Sequence, residues 1–188
     1  EATARLIAEE RGALPGVQVS VEARRQYLEG PLFAHILGYT AAISAEELAR
    51  LSSRGYLPDD LIGRTGVEAT YESELRGTYG QEEVEKDASG RKLKVLRTVT
   101  PAQAGNSLVL TLDTRQQQLA QQALQWAIKT AGLKRGALIV MNPQTGEVLA
   151  MVSLPSYDDN LFARGISTAT YRKLLNDPGQ PLINHAIS

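Results

Sequence analysis

Few side chains in this 188-residue chain could do chemistry. It has two histidines and no cysteine, which removes disulfides, thiolate metal sites and cysteine nucleophiles together. His35, in Phe33-Ala34-His35-Ile36-Leu37, and His185, in Asn184-His185-Ala186, have no carboxylate or second histidine three or four residues on. A metal would have to gather ligands from across the fold, so both are read as structural and no metal or cofactor is expected. There is no Gly-x-Ser-x-Gly elbow, and Gly63-Arg64-Thr65-Gly66 lacks the Gly-Lys-Ser/Thr of a phosphate loop. One formal match exists, because Ser89-Gly90-Arg91-Lys92 has the Ser-x-x-Lys spacing of serine acyl transferases. That chemistry needs a helix, whose turn sets the amine beside the hydroxyl. Here the serine precedes Gly90 at the expected tip of a hairpin, where i and i+3 have no helical relation. Lys129-Thr130-Ala131-Gly132 nearly matches Lys-Thr-Gly but closes a helix, and Ser-x-Asn does not occur. The chain therefore reads as carrying no complete catalytic site.

Composition narrows the classes further. Twenty Lys+Arg against twenty-one Asp+Glu, scattered along the chain, give a net charge of −1, which argues against nucleic acid, where clustered cations are needed to release phosphate counterions. No apolar run approaches the ~20 residues of a membrane span, and Glu1-Ala2-Thr3-Ala4-Arg5 is not a signal peptide. A hydrophobic content of 43% suits a globular chain.

The elements that must position these residues are mixed. Helical composition over Ala2–Glu10 leads to a turn at Leu14-Pro15-Gly16, and Val17, Val19 and Val21 alternate as in a half-buried strand. Phe33–Ile43 is a second β-prone run. Ser44 and Glu47 form a capping box for a helix stopped by Gly55. A helix is expected over Gly66–Leu75, closed by Gly77. A hairpin is expected over Gln81–Thr100, turning at Ser89-Gly90, and a strand over Ser107–Leu112. Asp113 caps the longest helix, Thr114–Ala131, ended by Gly132, in which Leu119, Ala123, Trp126, Ala127 and Thr130 share a face read as core. Gly136–Met141 and Val148–Val152 are apolar at almost every position and read as strands buried on both faces. With only a short helix over Thr170–Leu175 beside them, these two strands ask for more chain beyond Ser188. The fold class is α+β.

Four separate stretches, in register, resemble one family, the class B penicillin-binding proteins. Arg25-Gln26-Tyr27-Leu28-Glu29-Gly30 with Ala34-His35-Ile36-Leu37-Gly38-Tyr39 resembles Arg-x-Tyr-Pro-x-Gly…His-Ile-Leu-Gly, with Leu28 in place of Pro. Gly63-Arg64-Thr65-Gly66-Val67-Glu68, Tyr71-Glu72, Leu75-Arg76-Gly77 and Gly80 resemble the Gly-x-x-Gly-x-Glu…Tyr-Glu…Leu-x-Gly-x-x-Gly motif of the non-catalytic module. Thr111-Leu112-Asp113 with Gln117 is similar to Thr-x-Asp-x-x-x-Gln. Val140-Met141-Asn142-Pro143-Gln144-Thr145-Gly146 through Met151, with Pro155-Ser156-Tyr157-Asp158 and Asn160, resembles the first hairpin of the transpeptidase domain. Pro181-Leu182-Ile183-Asn184-His185-Ala186 is similar to Pro-Leu-x-Asn-Arg-Ala, which in the family shortly precedes the nucleophile Ser-x-x-Lys, with His185 replacing Arg. The Pro58-Asp59-Asp60-Leu61-Ile62-Gly63 lead-in favours the elongation type.

The resemblance implies an elongated non-catalytic pedestal, or dimerisation domain, over 1–134 and the N-terminal fragment of a transpeptidase domain over 135–188. It implies that the nucleophile lies beyond Ser188, so that this chain is no enzyme although its parent is a D,D-transpeptidase in cell-wall synthesis and cell-shape maintenance. The parent would sit on the extracytoplasmic, periplasmic side of the membrane, held by a single N-terminal helix absent from this chain. The implied partners are a SEDS-family glycan polymerase and an MreC-type scaffold of the elongation complex, and the parent's own catalytic domain, with room for a homodimer. Arg64, Glu68, Tyr71, Glu72 and Gln117 are the candidate partner-binding or interdomain residues. Glu68 and Glu72, at i and i+4, would face one side of a helix and need a cation between them. Arg25, Tyr27, Gly30, Gly38, Gly63, Gly66, Gly77, Gly80, Thr111, Asp113, Asn142, Pro143 and Gly146 are read as structural. Two other readings stand beside this one: a stand-alone secreted binding or dimerisation module, and an acyl transferase using Ser89 and Lys92.

Overall fold

Helix-capping chemistry sets the longest element. The structure, a computed structural model, describes residues 7, 24–88, 90 and 92–188. The strand expected over Val17–Val21 and most of the helix expected over Ala2–Glu10 lie outside these residues, as do Ser89 and Arg91. Besides helical Ile7 and the 3-10 turns Gly30–Leu32 and Ser52–Arg54, the α-helices of the described residues are α1 (Ala34–Leu37), α2 (Ala45–Leu51), α3 (Gly66–Thr70), α4 (Glu72–Leu75), α5 (Thr114–Ala131), α6 (Asn160–Ala163) and α7 (Thr168–Leu175). The strands form three antiparallel pairs: β1 (Thr40–Ala42) with β2 (Leu61–Gly63), β3 (Gln81–Lys86) with β4 (Lys92–Thr100), and β5 (Gly136–Met141) with β6 (Val148–Leu154). The α+β class is as expected from the sequence.

Local signals that saturate backbone donors and acceptors hold as read. Asp113 caps α5 by accepting from the Gln116 amide at 2.7 Å, and Gly132 closes it in a left-handed conformation. Ser44 and Glu47 make the reciprocal capping box at the start of α2.

Four expectations need correction. Phe33–Ile43 is not one strand: Leu37 and Gly38 donate to Phe33 and Ala34 at 2.8 Å, giving the single turn of α1, and pairing begins only at Thr40. A short apolar run has no periodicity to separate the two states. The helix over Gly66–Leu75 breaks at Tyr71 (φ −110°, ψ 25°) into α3 and α4, so Glu68 and Glu72 share no helical face. Residues 107–112 join no ladder among the described residues; they run beside β6, held by Thr111 Oγ1 donating to Val148 and the Asp113 amide donating to Leu149.

The fourth correction concerns the core. The buried face of α5 is Gln117, Ala120 and Leu124, with Ile128 beside it, whereas Trp126 is 71% exposed and Leu119, Ala123, Ala127 and Thr130 also face outward. Small Ala120 opposite small Ala150 lets α5 approach β6 closely, so Leu124 packs with Val152 and Leu154. The 3.6-residue stripe was correct in period and wrong in phase. Helix α5 covers one face of the β5–β6 hairpin. On the other face Ile139 and Met141 are exposed, and Ser153 accepts from the His185 amide at 3.0 Å.

A second apolar cluster joins Ala34, Tyr157 and Phe162, flanked by Tyr39, Ile166, Leu174 and Leu182. Tyr39 stacks on Phe162 at 3.9 Å, and His35 meets Tyr157 edge-on at 5.2 Å. Burial lowers the His35 pKa, which fits a structural histidine.

Candidate functional site: a buried polar seam

A buried polar side chain on α5 links the turn before α1 to β6. Gln117, 1% exposed, donates its amide nitrogen to the carbonyls of Leu32 (2.9 Å) and Met151 (2.8 Å), and its oxygen accepts from the Met151 amide (2.8 Å). Every polar atom it buries is used, and it ties the turn before α1 to the middle of β6 from a position on α5. Of the surface and interdomain positions expected for it, the surface one does not hold: it is buried between the turn at Gly30–Leu32 and β6.

A few residues away the contact becomes ionisable. Asn160 grips the backbone of Tyr27 from both sides: its Oδ1 accepts from the Tyr27 amide at 3.0 Å and its Nδ2 donates to the Tyr27 carbonyl at 2.8 Å. The same Nδ2 donates to Asp158 Oδ1 at 3.0 Å. The buried Tyr27 ring carries its hydroxyl to Glu68 Oε1 (3.3 Å), which also accepts from Arg25 Nε at 2.8 Å. Burial first, and the Glu68 charge second, raise the Tyr27 pKa, so the phenol remains a donor. Asp159 lies at the centre, 0% exposed, with neither carboxylate oxygen hydrogen-bonded; Glu68 Oε2 and Thr40 Oγ1 are buried without partners too. Burial, with the charge of Asp158 adding to it, pushes Asp159 up to about 7. Sequence reasoning missed Asp159; its only signal was a second acid directly before Asn160.

The other candidates brace the neighbouring pedestal elements. Glu72 Oε2 accepts from the Gly63 amide at 2.8 Å and its Oε1 from the Tyr56 hydroxyl at 3.4 Å, so each glutamate has its own donors where a shared cation was expected. Arg64 pairs with Glu47 at 2.5 Å and donates to the Ala42 carbonyl. Arg64 and Ser44 together hold Glu47 down at about 2. Tyr71 stands at the break between α3 and α4, 44% exposed. A groove of about 990 Å³ beside the seam is lined by Arg25, Glu68, Glu72, Arg76, Phe162 and Arg164 among others.

The residues read as structural act mostly through backbone. Gly66 has φ +61°, and a Cβ there would lie 2.4 Å from the Ile36 carbonyl; at Gly63 it would lie 2.0 Å from the Glu68 carbonyl. Gly38 meets Thr65 equally closely, and Gly77 and Gly80 press on 102–105. Gly30 starts the turn that Gln117 reads. In the β5–β6 turn, Asn142 Oδ1 accepts from the Gln144 amide at 3.0 Å next to Pro143, and Gly146, at φ +78°, donates to the Asn142 carbonyl at 2.8 Å. Among the described residues no group of three or more His, Cys, Asp or Glu could hold a metal.

The penicillin-binding protein dimerisation domain matches residues 1–110, and the penicillin-binding protein transpeptidase domain matches residues 136–188. The chain belongs to the penicillin-binding proteins that carry this dimerisation domain, the class B family. Among curated relatives, the peptidoglycan D,D-transpeptidase MrdA of Escherichia coli K12 is 44% identical over 176 residues, 92% of this chain and 26% of the relative. Among solved structures, Pseudomonas aeruginosa PBP2 in complex with WCK 5153 aligns with a TM-score of 0.70 at 39% identity, covering 89% of this chain and 31% of that one. The complex of PBP2 with MreC from Helicobacter pylori aligns at 0.74 and 31% identity, covering 97% and 32%. The chain thus spans about a quarter of the length of the curated relatives it matches.

Proposed function

We propose that this chain is the pedestal of a peptidoglycan transpeptidase together with the opening segment of its catalytic domain, divided near Lys134, and that it positions that domain and docks elongation partners. The observation that carries the reading is Gln117, which binds backbone from both family-matched regions, Leu32 in one and Met151 in the other. A side chain that satisfies both regions resists their rotation, because moving either leaves buried polar groups unpaired. The partner proposed first is an MreC-type scaffold, supported by the Helicobacter pylori complex; a SEDS-family polymerase is proposed second. Glu68, Glu72 and Arg25, which line the groove beside the seam, are the proposed interdomain residues. Arg64 and Tyr71 are proposed to meet a partner.

Serine acyl transfer, with attack on a D-Ala-D-Ala stem peptide and release of D-Ala, is assigned to the parent protein and its anchored, extracytoplasmic form. Ser89 with Lys92 is not proposed as a catalytic pair. Two assays test the proposal together. A fluorescent penicillin should label the full-length protein and leave this chain unlabelled, and the immobilised chain should retain an MreC-type scaffold. A labelled band for this chain would overturn the non-catalytic assignment, and absence of scaffold binding would overturn the docking role.

A further inference from the structure

The seam holds an acid that the positioning role does not use. Asp159 has no exposed surface and both of its carboxylate oxygens lack a partner, at the start of α6 next to Asn160, which holds the irregular segment at Tyr27. An ionised carboxylate in that position would be costly, since only the backbone at Asp159 and Asn160 favours the charge, and burial outweighs it. The titratable groups whose charge reaches it are Asp158 beside it, Glu68 on α3, and the phenols of Tyr27 and Tyr157. Arg25 is turned to Glu68. Each of these groups is neutral or, when ionised, negative, so their charges favour the protonated acid.

We infer that Asp159 is a proton-controlled latch of the seam: holding a proton, it stays buried and the two sides remain closed, and on losing it the carboxylate seeks water and the Tyr27–Asn160 clasp opens. The proton comes from and returns to solvent, and no bond other than O–H is made or broken. Acid closes the joint and alkali loosens it. The structural consequence is a pedestal whose grip on residues 157–163 varies with pH across neutrality. This inference rests on the seam alone, so it stands or falls separately from partner docking.

Amide hydrogen exchange at Tyr27 in the full-length protein tests it, because that amide is the donor in the clasp. After correction for intrinsic exchange, protection in the wild type should fall about tenfold between pH 6 and pH 8, the change expected when the open form releases the proton and the closed form resists. The Asp159→Asn variant, neutral at every pH, should show constant protection. Carbon-13 titration of the Asp159 carboxyl should place its midpoint near neutrality. Wild type and variant running in parallel, or a carboxyl titrating in the ordinary Asp range, would overturn the latch. If Asp159→Asn does not fold, Asp158→Asn serves instead: removing the adjacent charge should move the midpoint to lower pH, and an unmoved midpoint counts against the inference.

Discussion

The α5–β6 core and the seam around Tyr27 lie close together in the fold but hold by different physics. The first is apolar: Ala120 and Leu124 on Ala150, Val152 and Leu154, with Gln117 satisfying all its polar atoms at one end. The second is polar and incompletely satisfied, with Glu68 shared by Arg25 and Tyr27, and Asp159 shared by none. The first is expected to be indifferent to pH. The second responds to it, so the weak side of the joint can be tuned without disturbing the strong side.

The largest expected effect comes from the apolar side. Gln117→Ala leaves two carbonyls and one amide unpaired and opens a cavity, and should cost about 3–5 kcal/mol in urea unfolding, by analogy with buried unpaired groups and large-to-small changes. Leu124→Ala should cost about 2–4 kcal/mol, with a loss that is the same at pH 5 and pH 8. If that loss changed with pH, the two regions would not be separable.

On the polar side, the comparison sharpens with pH. A folded-state pKa raised from the ordinary Asp value to about 7 means that Asp159's share of stability is complete below pH 4 and is lost as pH rises through 7. The thermal midpoint of the wild type relative to Asp159→Asn should therefore decline from pH 5 to pH 8. Glu47 has the opposite sign: held at about 2 by Arg64 and Ser44, it adds stability above its ordinary value that is lost as pH falls toward 2. Ser44→Ala should remove about 1 kcal/mol through the lost cap. The smallest effect is expected on the β3–β4 arm, where Arg97→Ala breaks an exposed pair with Glu83 and should change stability by less than about 0.5 kcal/mol.

How far the sequence reaches follows the same division. Caps, stops and the β5–β6 hairpin were legible because each is written in adjacent residues: Asp113 and Gly132 bound α5 as Ser44 and Glu47 start α2. The phase of α5 was not legible, because Trp126 outweighs Ala120 on any hydrophobicity count while the packing rewards the small residue that lets β6 approach. Glu68 and Glu72 were expected to share a cation and do not: their partners, Arg25 with Tyr27 and Gly63 with Tyr56, are separate because the helix breaks at Tyr71. Asp159 was invisible for a plainer reason: burial without a partner is a property of three dimensions, and in sequence it is one more acid.

The central claim is that Gln117 joins the region before α1 to the β5–β6 hairpin as a single body. Hydrogen exchange across a urea series measures this most directly, following residues 24–37 and 117–128 together in the wild type and in Gln117→Ala. The account predicts that both segments lose protection at the same urea concentration in the wild type, and that residues 24–37 open first in the variant. Free exchange of 24–37 in the wild type while α5 stays protected would contradict it.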